Sequence, residues 1–226
     1  LSFDSGGSLL CRLLSCLAWS MDSGVVELFL GGSNNPHCPG RLGRLLNSTS
    51  SWVSVEPWDY LYLPLPKTRE AELALALYRE GLNLNSVPFA FLSFFKVLNI
   101  RFSVGHYQKD WINRNLDSIS YGPALDRLKT LRVSQTDIGK YLYTQGRCAV
   151  AHANALPIAN PDDYSAKRRL ELDIPLIKEI AAHFIERELG VLSDSSFWKT
   201  VRKTEVQFPE LLRKTYTEGG LVKYVQ

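Results

Sequence analysis

One stretch constrains the fold more than any other. From Val87 to about Ile100 the chain reads Val-Pro-Phe-Ala-Phe-Leu-Ser-Phe-Phe-Lys-Val-Leu-Asn-Ile, apolar almost all round. Ser86 is placed to cap a helix there, and Pro88 falls in the first turn, where its missing N–H costs little. A helix with no polar face needs neighbours on every side. The rest of the chain therefore has to supply a bundle around it.

The segments that follow Lys67 fit that demand. Arg69 to Gly81 is rich in Ala, Leu and Glu and ends at a glycine suited to a C-cap. His106 to Ile119 reads as a more polar helix and Ala124 to Leu131 as a short one. Ser134-Gln-Thr-Asp137 has the form of a capping box and is expected to start a helix running to about Asn154, before Pro157. Asp173, with Pro175 two residues on, is expected to cap a helix ending at Leu189-Gly190. Its Ile177, Ile180, Ala181, Phe184 and Ile185 follow the helical period. The tail from Ser195 adds one or two short helices. The fold class is mainly α, an up-and-down helical bundle over residues 67–226.

The first 66 residues read differently and hold seven of the fifteen glycines. Ser8 is expected to cap a helix over Leu9 to Ala18 with Leu10, Leu13, Leu14 and Leu17 as its apolar stripe. Val25–Leu30, Trp52–Val55 and Tyr60–Leu65 read as strands, with a loop over Gly32–Ser51. Residues 1–66 are thus expected to form a small α+β module. The Leu9–Trp19 stretch has neither a basic start nor a small-residue cleavage site, so it is not read as a secretory signal. The chain starts at Leu1, and whether it is full length stays open.

No apolar run reaches the roughly 18 residues needed to span a bilayer, so no membrane partner is expected. The four cysteines form no C-x-x-C pair, which points away from zinc and towards a reducing, cytoplasmic setting. His37-Cys38 lacks partners at ligand spacing, and no metal or other cofactor is assigned. With Lys+Arg 26 against Asp+Glu 23, the net charge of +3 excludes a DNA-wrapping protein. The charge is unevenly spread, however. Residues 95–132 carry seven basic residues against three Asp, with Tyr107, Trp111 and Tyr121 among them. Lys109, Arg114, Arg127 and Lys129 are the candidate RNA contacts in this block, against the plainer reading of a solvated helix face with Trp111 in the core. His106 and His183 read as structural.

The chemically informative segment is Tyr141-Leu-Tyr-Thr-Gln-Gly-Arg-Cys-Ala-Val-Ala-His-Ala-Asn154. Arg147 offers a permanent, forked positive charge that suits a phosphate. His152 titrates near neutrality and suits proton transfer. Together they suit RNA cleavage, in which a 2′-hydroxyl attacks the neighbouring phosphate without a metal. Tyr143 and Asn154 share the face of Arg147 and are supporting candidates. Gly146 and Ala149, Ala151 and Ala153 leave the helix slim enough for a second helix to approach. On a regular helix, five residues place Arg147 and His152 about 140° apart. The helix must therefore distort, or the pair must work in a groove or across a symmetric dimer. The plainer alternative pairs Arg147 with Asp162 or Asp163 and leaves His152 capping a carbonyl.

The stretch from Arg69 to Gly190 resembles the HEPN (higher eukaryotes and prokaryotes nucleotide-binding) superfamily, whose mark is R-x(4–6)-H late in a long helix of an up-and-down bundle. Here that mark is Arg147-Cys-Ala-Val-Ala-His152. Pro161-Asp-Asp, Arg168-Arg-Leu170 and Asp173-Ile-Pro-Leu resemble a prokaryotic branch that includes methylamine-utilisation proteins and the HEPN domains of anti-phage proteins. The resemblance implies a bundle that dimerises and a metal-independent endoribonuclease of a bacterial defence or toxin system. Arg147 and His152 would be its catalytic residues, RNA its substrate, and a protein of the defence system a possible partner. Cys148 departs from the polar residue common after the arginine. It favours the alternative, a non-catalytic scaffold that dimerises or binds a nucleotide or partner protein.

Overall fold

The structure, a computed structural model, describes residues 3–26, 62–119, 122–152, 158–160 and 162–205. Among these residues the fold is a helical bundle without strands. Helix α1 spans Phe3–Met21, α2 Arg69–Asn83 and α3 Val87–Asn99. Helix α4 spans Gly105–Asn115 and runs into a 3₁₀ turn at Leu116–Ser118. Helix α5 covers Gly122–Ser134 and α6 Ile138–Tyr141, which continues as a π-helical segment, Leu142–Cys148, and then α7, Ala149–Ala151. Helices α8, Tyr164–Leu189, and α9, Asp194–Glu205, complete the order.

Helix α3 is the axis, as its composition requires. Phe91, Phe94, Phe95, Val97 and Leu98 are all buried, and Lys96 stays outside. Helix α2 covers one side through Ala71, Ala74, Leu75 and Tyr78, and α8 another through Leu176, Ile177, Ile180, Ala181, Phe184 and Ile185. Thr68 caps α2 by accepting the Ala71 N–H at 3.1 Å, and Glu70 and Glu72 in the first turn complement the helix dipole. Gly81 lies inside α2 against the Phe94 ring, and Leu84 in extended conformation is the C-cap instead.

Two caps differ from expectation for a shared reason, namely that tertiary contacts claim the polar side chains. Ser134 closes α5, and Asp137 caps α6 by accepting the Lys140 N–H at 2.7 Å. Asn113 of α4 donates to the same Asp137 oxygen at 2.8 Å and accepts the Gly139 N–H at 2.7 Å. These bonds hold Asp137 below the usual carboxylate range. Helix α8 begins nearly three turns earlier than expected, at the Asp163 cap, and carries Pro175 in its interior. Asp173 is no cap but a fully buried side chain in the middle of the helix. The far end matches the reading: Gly190 has φ +68 and terminates α8.

The N-terminal α+β module is not what the described residues form. Helix α1 runs straight through Gly6, Gly7 and Ser8. Its buried face is Ser15, Cys16, Ala18 and Trp19, while Leu13 is exposed. Trp19 packs edge-on against Tyr78 at 5.0 Å and donates its indole N–H to the Leu192 carbonyl at 2.9 Å. Asp22 receives the Tyr78 hydroxyl at 2.8 Å and the Lys178 ammonium at 2.7 Å. Helix α1 is therefore part of the bundle core. Val25 and Val26, and Tyr62 to Pro66, are irregular. Tyr62 stacks on Phe197 at 4.0 Å and Pro64 is buried, whereas Leu63 and Leu65 are exposed, the reverse of the face expected of a strand. The remainder of the expected strands, the Gly32–Ser51 loop, His37 and Cys38 lie outside the described residues.

Candidate active site

The segment carrying Arg147 is not a regular α-helix. Over Leu142–Cys148 the helix widens to a π turn, and the Ala149 N–H reaches back to the Thr144 carbonyl five residues earlier. Two local features favour the widening. Gly146 resists tight helix by about 1 kcal/mol relative to Ala. Thr144 also turns its hydroxyl back on the Lys140 carbonyl at 2.8 Å, a bond that competes with regular helix. Packing then fixes it. The Phe91 ring of α3 occupies the space where any side chain on Gly146 would lie. On the other side, α6 sits against the Lys109 carbonyl of α4 at Gly139, where again no Cβ fits.

The helix stops at Ala151. His152 takes an extended conformation, φ −130 and ψ 118, while its N–H still bonds the Cys148 carbonyl at 3.0 Å. The Ala159 N–H returns to the Ala149 carbonyl at 3.0 Å and folds the following chain back against α7. Widening and termination together undo the 140° separation of a regular helix. Arg147 Nη1 and His152 Nε2 lie 3.0 Å apart. A guanidinium has only donors, so this contact is a hydrogen bond in the tautomer that leaves Nε2 free to accept.

His152 is exposed and Arg147 partly buried. Among the described residues no carboxylate pairs with Arg147, and its Nε is buried without a partner. Asp163 is used as the α8 cap and the Asp162 N–H bonds the Asn160 side chain at 3.0 Å, so the plainer pairing with these acids is not formed. The Cys148 sulfur lies 3.8 Å from Arg147 Nη1. Tyr143 stands beside the pair, its ring centroid 5.7 Å from the Arg147 guanidinium carbon. Its ring packs edge-on against Phe95 and its hydroxyl end covers Gly105 at the start of α4. Burial, and then the Cys148 thiol, pushes the Tyr143 hydroxyl above the ordinary tyrosine value, so it stays neutral.

The basic residues expected to touch RNA are not brought to one face. Lys109 lies beside the pair, with Nζ 5.7 Å from the Tyr143 centroid. Arg114 is exposed and donates to the Asp110 carbonyl at 3.2 Å. Lys129 is exposed, 4.0 Å from Asp126. Arg127 points inward, which corrects its reading as a surface cation. Its Nε donates to the buried Asp173 at 2.8 Å and its Nη2 reaches the Tyr141 hydroxyl at 3.3 Å. Tyr141 donates to the other Asp173 oxygen at 2.9 Å, and Arg169 lies 4.0 Å from it. Burial raises the Asp173 carboxyl despite these partners. This network was invisible in the sequence, because nothing in the spacing of Arg127, Tyr141 and Asp173 marks them as neighbours.

Trp111 is a core residue, its indole N–H on Glu188 at 2.9 Å, and Tyr107 is exposed against His106. His183 is held by Ser118 at 2.8 Å and Glu179 at 3.2 Å, a structural position. Asn154 and Tyr121 lie outside the described residues. Among the described residues no three His, Cys, Asp or Glu side chains gather as a metal site, and no helix is long and apolar enough to cross a membrane. A family model described as methylamine utilization protein MauJ matches residues 74–186, half of the chain. That span includes Lys109, Tyr143, Arg147, His152 and Asp173. No curated protein and no solved structure matches the chain.

Proposed function

The chain belongs to the MauJ family, and from that premise we propose that it is a HEPN-type, metal-independent endoribonuclease acting in bacterial defence or as a toxin. The observation that carries the reading is the 3.0 Å contact between Arg147 and His152, neither of them paired with a carboxylate among the described residues. On this reading the His152 Nε2 lone pair becomes available once a phosphate draws Arg147 away. The imidazole then accepts the proton of a 2′-hydroxyl as that oxygen attacks the adjacent phosphorus. Arg147 binds the non-bridging oxygens, where negative charge builds. The bond to the 5′-oxygen breaks, and an imidazolium returns a proton to it. The products are a 2′,3′-cyclic phosphate and a 5′-hydroxyl. In a dimer, one copy's histidine would be the base and the other's the acid. The same proposal places the protein in the cytoplasm.

Incubation with single-stranded RNA in EDTA tests this. The expected outcome is cleavage with cyclic phosphate ends, lowered by about 100-fold or more in His152→Ala and in Arg147→Ala. Intact RNA with the wild type, or undiminished cleavage by His152→Ala, refutes it.

Cys148 supports a second reading, a non-catalytic scaffold that dimerises or binds a nucleotide or partner protein. The thiol beside Arg147 is a weak hydrogen-bonding group where a nuclease gains from an amide or carboxylate. On that reading, Cys148→Asn creates cleavage that the natural chain lacks.

A further inference from the structure

We infer that Lys109 holds a second phosphate, next to the scissile one, so that the site takes a single-stranded RNA segment with at least two consecutive phosphates. The inference rests on the ribonuclease reading and extends it to the substrate. Lys109 lies on α4, well away in sequence from the R-x(4)-H segment on the helix that α4 packs against. Yet its Nζ and the Arg147 guanidinium carbon are each 5.7 Å from the centre of one ring, Tyr143. The two cations are thus separated by no more than twice that distance.

Two positive charges gathered around one ring favour an anion that bridges them. Among the described residues neither cation has a carboxylate within ion-pairing distance. Lys109 acts on Asp137 only as one of the smaller charges that lower its carboxyl. Its Oδ1 is already taken by Asn113 and by the Lys140 N–H. Among the described residues the guanidinium bonds the His152 imidazole and the Cys148 thiol. Tyr143 is a neutral ring beside both charges, packed against Phe95 and Gly105. A polyanion whose charges repeat at nucleotide spacing satisfies both cations at once; one isolated phosphate satisfies only one. The other basic residues of this block do not share the arrangement, since Arg127 is spent on Asp173 and Lys129 lies beside Asp126.

The test uses an RNA octamer methylated at every 2′-oxygen, which binds and cannot be cut, titrated by fluorescence anisotropy over a series of KCl concentrations. Lys109→Ala is expected to weaken binding about tenfold. It should also reduce the slope of log K against log salt by about 0.7, the loss of one single-strand phosphate contact. Lys109→Arg should restore the slope, and Lys129→Ala should leave it unchanged. On cleavable RNA, Lys109→Ala should lower kcat/KM for a trinucleotide about tenfold and leave a dinucleotide, with its single phosphate, unaffected. An unchanged slope in Lys109→Ala, an equal drop in Lys129→Ala, or an equal loss on both short substrates overturns the inference. Because the octamer is not cleaved, a Lys109-dependent slope in a protein that cuts no RNA refutes the nuclease reading and keeps this one; cleavage that ignores Lys109 does the opposite.

Discussion

Asp173 shows how much one side chain can hold together. It is fully buried, and Arg127, Tyr141 and Arg169 converge on it from α5, α6 and α8. Asp173→Ala should cost about 3–5 kcal/mol, because it leaves Arg127 charged and unpaired inside the bundle. The double change Asp173→Leu with Arg127→Met should cost far less, since charge and partner leave together. Denaturant unfolding separates the two outcomes. The pH dependence has a definite sign. The folded state raises the Asp173 pKa, so the native protein binds that proton more tightly than the unfolded chain. Its contribution is present in full below the ordinary carboxylate value and declines as pH rises through the folded value. Asp173→Asn should lack that decline. None of this was legible in the sequence. An Asp two residues before a Pro reads locally as a helix cap, and only the approach of two other helices makes it a buried acceptor. While their spacing alone said little, Arg147 and His152 were legible as a candidate pair from their residue types and from the resemblance of their segment to the R-x(4–6)-H mark. That they touch was not, because contact depends on backbone geometry outside the α-helical period.

At the scale of elements, the fully apolar α3 predicted its own central place, and α2, α4 and the end of α8 lay where their composition put them. The departures cluster where polar side chains had two options. Ser134 and Asp137 competed for one cap, and Asn113 of α4 settled it by bonding both Asp137 and Gly139. Helix α1 was longer than expected because contacts of Trp19 and Asp22 with α2 and α8 hold it, not a Ser8 cap. The element that matters most for the site is the π segment, and Gly146 is its weak point. Gly146→Val must displace the Phe91 ring or push the segment off α3. The expected cost is about 1–3 kcal/mol in stability, together with loss of RNA cleavage out of proportion to the loss of fold. Thermal melting beside single-turnover cleavage checks this. Equal activity per folded molecule would mean the widened turn does not position Arg147.

For the molecule as a whole, the site stands at one edge of the bundle, where exposed Val104 and Tyr107 flank Gly105 and exposed Ile158 follows His152. These apolar groups are suited to a contact between copies. If each cut uses a histidine from both copies, an excess of His152→Ala chain mixed with wild type should suppress wild-type cleavage as mixed dimers form. A site complete in one copy should be indifferent to the added chain. Measuring cleavage after subunit exchange, with the oligomer mass followed by light scattering, decides between them.

The widened turn also makes the pairing of Arg147 with His152 a question of angular phase. Every residue added to or removed from a helix rotates all that follows by about a quarter of a turn or more. The arginine sits inside the π segment and the histidine just past the break after Ala151, so both departures from regular helix set their relative phase. Deleting a single residue between Leu142 and Cys148 would allow an ordinary helix to close up, and its packing on α3 and α8 would shift with it. The two side chains would then look in different directions. The chemistry of this protein is stored less in which residues it has than in one surplus residue's worth of slack between them.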